Sequence, residues 1–180
     1  MNTYISILRG INVGGNRIIK MDALRKLYED LGFTNVRTFI QSGNVIFQDS
    51  PTELKDLEKR ISLKIKELYS FDVPVVVKSK NELENLFENN PFVQKYGNEI
   101  DKLHLTLFSN QPKQLDIENF SVSSGNDEYA FGGCAVYLYC PGGYGNTKLS
   151  NQYFEQKLKV IATTRNWKTF TELIKISNEG

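Results

Sequence analysis

Apolar positions along the chain alternate between two rhythms, one of period two and one of three to four. Residues 3–9, Thr-Tyr-Ile-Ser-Ile-Leu-Arg, read as a largely buried strand. After a glycine-rich loop, Met21, Leu24, Leu27, Tyr28 and Leu31 recur at helical spacing, and Gly32 follows as a C-terminal cap residue would. Residues 35–40 and 44–48 are strand-like runs, and Gln41-Ser42-Gly43 joins them as a hairpin turn. Ser50-Pro51-Thr52-Glu53 carries the signals of a helix start: a capping serine, proline at the first helical position, and a glutamate completing a capping box. Leu54, Leu57, Ile61, Ile65 and Leu68 then line one face. Residues 73–78 form another strand, which Pro74 confines to an edge or delays, because proline cannot donate to a ladder.

Residues 3–78 therefore run β-α-β-β-α-β, the order of a ferredoxin-like unit. Ser79-Lys80-Asn81-Glu82 is a further capping box, leading a short helix with Leu83, Leu86 and Phe87 that Asn89-Asn90-Pro91 ends. The polar residues 94–101 read as a linker. The order then repeats: a strand at 103–108, a weak helix at 112–119, a hairpin of 127–131 and 134–140 across Gly132-Gly133, a helix at 150–160, a short strand at 161–164, and a final helix at 166–176. The expected fold class is α+β: two tandem ferredoxin-like units of two-layer sandwich type with extra helices. Its expected divisions are 1–78, a connecting helix and linker over 79–101, and 102–180 with a C-terminal helix. The tandem rests on element order, since no residue-level repeat is visible. Val75 and Val77 oppose Val76, and Val45 and Phe47 oppose Ile46, so both faces of these strands are expected to be covered, by the second unit or the extra helices.

Composition narrows the class. The 180 residues are 40% hydrophobic and 24% charged, ordinary values for a globular chain. The net charge of +1 argues against a general nucleic-acid binder, though not against a local basic patch. No apolar run approaches the roughly 20 residues that span a bilayer, and Met1-Asn2-Thr3-Tyr4 lacks the marks of a signal peptide, so the expectation is a cytoplasmic protein without membrane partners. Cys134 and Cys140 on one strand would lie about 20 Å apart, against the roughly 4.4–6.8 Å a disulfide needs, so they read as buried small hydrophobes.

Three blocks carry a resemblance. Leu8-Arg9-Gly10-Ile11-Asn12-Val13-Gly14-Gly15, Gln41-Ser42-Gly43-Asn44-Val45-Ile46-Phe47 and Thr163-Thr164-Arg165-Asn166-Trp167 resemble, in order, the signature of a bacterial family catalogued as a domain of unknown function. Asn90-Pro91-Phe92 is similar to that family too, and the resemblance covers nearly the whole chain. It implies a tandem of ferredoxin-like units and no established activity or catalytic residue.

Candidate site residues are therefore identified by their chemistry. A ferredoxin-like sheet of order 4-1-3-2 sets the loop from Arg9 to Arg17 beside Gln41–Asn44. In the second unit it sets Pro141–Lys148 beside Thr163–Asn166. Each cluster pairs a glycine-rich loop with a helix N-terminus, where free N–H groups and the helix dipole favour anions. Arg9, Lys148 and Arg165 add charge-assisted bonds, Asn12, Ser42, Asn44 and Asn166 orient a polar ligand, and Gly14 and Gly15 allow close approach. If the halves pack with these ends facing, the clusters line one cleft. The leading reading is a small anionic, phosphate-bearing or nucleotide-like ligand. The competing readings are tight connections with Arg9 and Arg165 in structural ion pairs, or a nucleic-acid or protein interaction module without catalysis. Neither a Walker-type nor a dinucleotide-binding glycine motif occurs.

Other chemistry is faint. His104, the single histidine, alternates with Leu103 and Leu105 and reads as structural. No residues have metal-ligand spacing, no cofactor is indicated, and Ser42 lacks an evident base. Glu29, Asp30, Glu53, Glu58 and Glu67 are scattered as on solvated helix faces. Tyr137 and Tyr139 share a strand face that could stack bases, but the expected RNA-binding block is absent from Ser42–Gln48, and buried tyrosines are the favoured reading. Trp167 reads as core.

Overall fold

The structure is a computed structural model and describes residues 1–179. It is α+β, with two four-stranded antiparallel sheets and seven α-helices among the described residues. It divides into two compact units: residues 1–84 with 173–179, and Asn85–Glu172. This division differs from the sequence-based one at two places, since the second unit begins at Asn85 and residues 173–179 group with the first.

The first unit holds β1 (Asn2–Leu8), α1 (Met21–Asp30), β2 (Thr34–Phe39), β3 (Asn44–Asp49), α2 (Leu54–Tyr69) and β4 (Val75–Ser79). Its sheet runs β2-β3-β1-β4. Tyr4, Leu8, Val45, Phe47, Val75 and Val77 pack with Leu24, Leu27 and Tyr28 of α1 and with Leu57, Ile61 and Ile65 of α2. The opposite sheet face, with Ile5, Ile7, Ile46 and Val76, is buried as well. Tyr28 is fully buried and bonds Ser6 Oγ at 2.7 Å, and burial pushes its phenol well above the ordinary tyrosine range.

The second unit contains α4 (Pro91–Tyr96), β5 (Leu103–Phe108), α5 (Gln114–Glu118), β6 (Glu128–Phe131), β7 (Ala135–Tyr139), α6 (Asn151–Leu158) and β8 (Ala162–Asn166). Its sheet runs β6-β7-β5-β8. Phe108, Phe120, Val136, Leu138, Leu149, Phe154 and Leu158 form its core. Helices α3 (Lys80–Glu88) and α7 (Trp167–Asn178) each cross the boundary between units in sequence.

The two sheets share a pattern of hydrogen bonds. Leu8 N–H donates to Gly43 O at 2.8 Å, and Phe108 N–H to Cys134 O at 2.8 Å. Arg9 N–H donates to Pro74 O at 3.0 Å, and Ser109 N–H to Ile161 O at 2.9 Å. Strand register makes these pairs equivalent, with Leu8 facing Val75 and Phe108 facing Ala162. The edge strands are closed alike. Glu58 Oε1 of α2 accepts Val77 N–H of β4 at 3.0 Å, and Glu155 Oε1 of α6 accepts Ala162 N–H of β8 at 3.0 Å. A carboxylate on an edge N–H satisfies it and denies it to another strand.

Glu58 thus corrects the reading of a solvated face, since it is buried. Three further expectations fail locally. Helix α2 starts at Leu54, because Asp49 captures the Ser50 N–H and the Thr52 hydroxyl while the Tyr4 hydroxyl accepts Thr52 N–H. Leu68 is exposed, and Tyr69, four residues after Ile65, packs on the core instead. Residues 94–101 are no linker: Asn90 Oδ1 caps Phe92 N–H at 2.9 Å, α4 follows, and a 3-10 turn runs over Gly97–Lys102. The capping box at Ser79 forms as expected, with Ser79 N–H donating to Glu82 Oε2 at 3.0 Å and Glu82 N–H to Ser79 Oγ at 3.2 Å.

Replacing Glu58 by Ala strands the Val77 N–H and is expected to cost about 1.5–3 kcal/mol in urea denaturation. Lys55→Ala removes only the half-exposed partner of Glu58 and is expected to cost under about 1 kcal/mol.

Candidate functional site

The loop after β1 is fastened on both sides. Leu8 N–H reaches Gly43 O and Arg9 N–H reaches Pro74 O, so half-buried Arg9 leaves the sheet between its neighbours. Ile11 then turns inward, 1% exposed. A Cβ on Gly43 would meet Ile11 Cδ1 at 2.6 Å and Leu8 Cβ at 3.0 Å, and Gly43 has φ of +83°. Both facts require glycine.

Asn12, at φ +55°, staples the loop. Its Oδ1 accepts Ile19 N–H at 2.8 Å, and its Nδ2 donates to Ile19 O at 2.9 Å and Gln41 O at 2.8 Å. That amide is occupied by the fold. Gly14 and Gly15, at φ +57° and +76°, form the corner of a two-residue hairpin bridged between Val13 and Asn16. Both glycines are exposed. Asn44 is buried and donates to Phe39 O at 3.0 Å and Ser42 Oγ at 3.1 Å, closing the turn on which Ser42 sits. Ile40 in that turn has φ of +52°, a costly conformation for a β-branched residue. Arg17, also left-handed at +49°, folds its guanidinium back over Gly10: Nη1 stands 3.3 Å from where a Gly10 Cβ would be.

The second cluster forms where β7 and β8, parallel to each other, leave β5. Leu138 and Asn166 both pair with His104. His104 is buried, and its ring stacks on Tyr144 with centroids 4.9 Å apart. Thr164 Oγ1 donates to Asn151 Oδ1 at 2.6 Å and contacts Thr106 Oγ1 at 2.7 Å. Arg165 Nη1 donates to Thr164 O at 2.9 Å. Burial pushes the Arg165 guanidinium down to about 10, opposed by Tyr144. Burial also lowers His104, against the Lys102 carbonyl and Asp101. Asn166 is exposed, and its Oδ1 caps α7 by accepting Thr169 N–H at 2.8 Å. Lys148 is exposed on the loop between β7 and α6.

Arg9, Asn12, Gly14, Gly15, Ser42 and Asn44 therefore share the C-terminal end of β1. Arg165 and Asn166 sit instead by the N-terminal end of β5. The two strands are equivalent in the repeat, so the clusters occupy opposite ends of equivalent sheets and are not counterparts. Sequence reasoning included Arg17, Tyr144 and Thr164 in the candidate clusters but gave them no role of their own. The only available signal was Tyr144's position inside a second glycine-rich run, Gly142-Gly143-Tyr144-Gly145.

The tyrosine face is filled. Tyr137 donates to Leu86 O at 2.8 Å, and Tyr139 stacks on Tyr96 at 3.6 Å and donates to Glu99 Oε2 at 3.1 Å. Trp167 is buried against Phe87. Cys140 is buried, its thiol pushed up to about 11, while Cys134 is half-buried, and both are free. Among the described residues no group of His, Cys, Asp and Glu is placed to hold a metal ion, and no helix is long and apolar enough to cross a membrane.

These features define an α+β protein with two four-stranded sheets and a basic, glycine-rich loop at the end of its first strand. The chain belongs to the family described as "Protein of unknown function (DUF1697)", whose profile matches residues 1–137. Among solved structures it is similar to the conserved bacterial protein SP0830 from Streptococcus pneumoniae. The TM-score is 0.71 at 22% identity, over 99% of each chain. At that identity the likeness bears on fold alone. No curated protein matches the chain.

Gly43→Ala is expected to destabilise by about 2–4 kcal/mol, from left-handed strain plus overpacking. Gly15→Ala, where nothing stands within 4 Å, is expected to show only the strain of about 1–2 kcal/mol, and urea denaturation separates them. His104 is held below its unfolded value, so the unfolded chain takes up its proton first. Stability is then full above about pH 6.5 and falls as pH drops from there through the lowered folded value. His104→Gln is expected to flatten that slope in melts taken between about pH 5 and 7.

Proposed function

We propose that the chain is a tandem of two ferredoxin-like units that binds a small anionic molecule, phosphate-bearing or nucleotide-like, at the C-terminal end of β1. The shared strand order and the repeated hydrogen bonds support the tandem. The observation that carries the binding reading is the concentration of left-handed backbone around two arginines. Gly10, Asn12, Gly14, Gly15, Arg17, Ile40 and Gly43 all have positive φ beside Arg9 and Arg17. Three of these, Asn12, Arg17 and the β-branched Ile40, are not glycine, and left-handed non-glycine residues gather where a structure holds groups ready for a ligand. Residues 9–20 also contain Arg9, Arg17 and Lys20 and no acid.

Within this reading the roles separate. Arg9 and Arg17 grip the anion, with Ser42 beside them. Asn12, Gly14, Gly15 and Asn44 build the frame. Lys148, Arg165 and Asn166 belong to a second polar cluster that accepts an anion in the other unit.

One observation favours a second reading, a protein-interaction module: Val13, Ile18 and Ile40 are exposed around the same loop. A panel of inorganic phosphate, nucleotides and sugar phosphates in a thermal-shift assay separates the two. The anion reading expects a rise in Tm that Arg9→Gln and Arg17→Gln each reduce at least tenfold in apparent affinity. A flat response across the panel contradicts it and leaves the interaction module.

A further inference from the structure

Tyr96 of α4 and Tyr139 of β7 lie ring on ring, with centroids 3.6 Å apart and planes 5° from parallel. Each phenol also has a carboxylate of its own. The Tyr96 hydroxyl donates to Glu128 Oε1, and the Tyr139 hydroxyl donates to Glu99 Oε2 at 3.1 Å. We propose that this pair is a site of oxidative modification, at which a one-electron oxidant of the ferryl-haem class joins the two rings into an intrachain dityrosine.

Separate elements hold the four groups in place. Tyr139 and Glu128 face each other across β7 and β6. Tyr96 ends α4, and Glu99 lies in the 3-10 turn that follows it. Lys95 Nζ donates to both Glu128 oxygens, at 3.1 and 2.9 Å, and so helps to hold that carboxylate at the Tyr96 hydroxyl. Bonds from Tyr96 and Lys95 keep Glu128 below the usual carboxylate range, so it is ionised and able to take a proton. Packing asks only for the stack. Half-buried Tyr96 could bond water, yet the chain supplies it with an acid. No other tyrosine ring stacks on a tyrosine among the described residues. The pair is also reachable. Tyr139 is buried, but Tyr96 is only half-buried and its neighbours Lys95 and Glu99 are exposed. An electron can therefore leave through the Tyr96 edge of the stack.

The chemistry balances. Each phenol gives one electron to the oxidant and its hydroxyl proton to the carboxylate it already bonds, Tyr96 to Glu128 and Tyr139 to Glu99. A positioned acceptor lets proton and electron depart together and avoids a charged phenol radical. The two neutral phenoxyl radicals form in contact and join by a new C–C bond between ring carbons ortho to the oxygens. The hydrogens on those carbons leave as protons, the phenolic oxygens are reprotonated, and both rings become aromatic again. In all, the chain loses two hydrogens, the oxidant gains two electrons, and the carboxylates return two protons to water. The product ties α4 to its sheet as a disulfide would, in a chain whose two cysteines are free.

The test treats the full chain with hydrogen peroxide and a haem peroxidase, then follows dityrosine fluorescence and maps the linked peptides by mass spectrometry. The expected product is a single chain, lighter by two hydrogens, with Tyr96 joined to Tyr139. Tyr96→Phe and Tyr139→Phe each abolish that link. Glu128→Gln and Glu99→Gln keep an oxygen at the phenol but no proton acceptor, and each is expected to slow linking at least tenfold. The wild-type peptide map decides the site even if a variant fails to fold. Dityrosine that maps to other tyrosines or joins separate chains would overturn the proposal, as would its absence where free tyrosine under the same oxidant couples. Unchanged rates in both glutamine variants would overturn the role given to the carboxylates.

Discussion

The close approach of Gly43 to Ile11 governs the basic end of the first sheet. Ile11 is the residue that brings the chain back under the sheet after β1 ends. It fits only because Gly43 has no side chain, and the same glycine accepts Leu8 N–H. Once Ile11 is buried, Asn12 is placed to bind Ile19 on one side and Gln41 on the other. Arg9 and Arg17 are then fixed at the two ends of a short loop. A frame of this kind gives up little conformational freedom when a ligand arrives, which is the main advantage of an ordered loop over a flexible one.

The likeness of the two sheets has a physical basis of its own. Each unit must close its fourth strand, which lies at an edge, and each does so with a glutamate from the helix that precedes that strand. The surrounding side chains share almost nothing, so the repeat survives in backbone hydrogen bonds and edge chemistry alone. The loops are free to differ. The first unit places arginines and glycines after its first strand, while the second places Ser109-Asn110-Gln111-Pro112 there and moves its polar cluster to the other end.

Features whose partners are close in sequence were legible. The strands and helices follow the hydrophobic rhythm, and the capping box at Ser79 joins groups three residues apart. Features decided across the fold were not. Ser50-Pro51 signals a helix start, but Tyr4, 48 residues away, takes Thr52 first. Residues 94–101 look polar and loose, yet the Tyr96 hydroxyl and Lys95 both bind Glu128. Glu58 resembles any solvated acid until β4 arrives beside it. At the candidate site the sequence supplied residue types and neighbours. It did not show that the amides of Asn12 and Asn166 are spent on the frame.

Amide hydrogen exchange across residues 8–19 tests the preorganised frame most directly. Leu8, Arg9 and Ile19 each donate to a fixed acceptor, whereas Gly14 and Gly15 lie at an exposed corner. The expected result is strong protection at Leu8, Arg9 and Ile19 beside rapid exchange at Gly14 and Gly15. Exchange of Ile19 at the rate of Gly14 and Gly15 would show that the Asn12 staple does not hold, and the loop could not then serve as a preformed site.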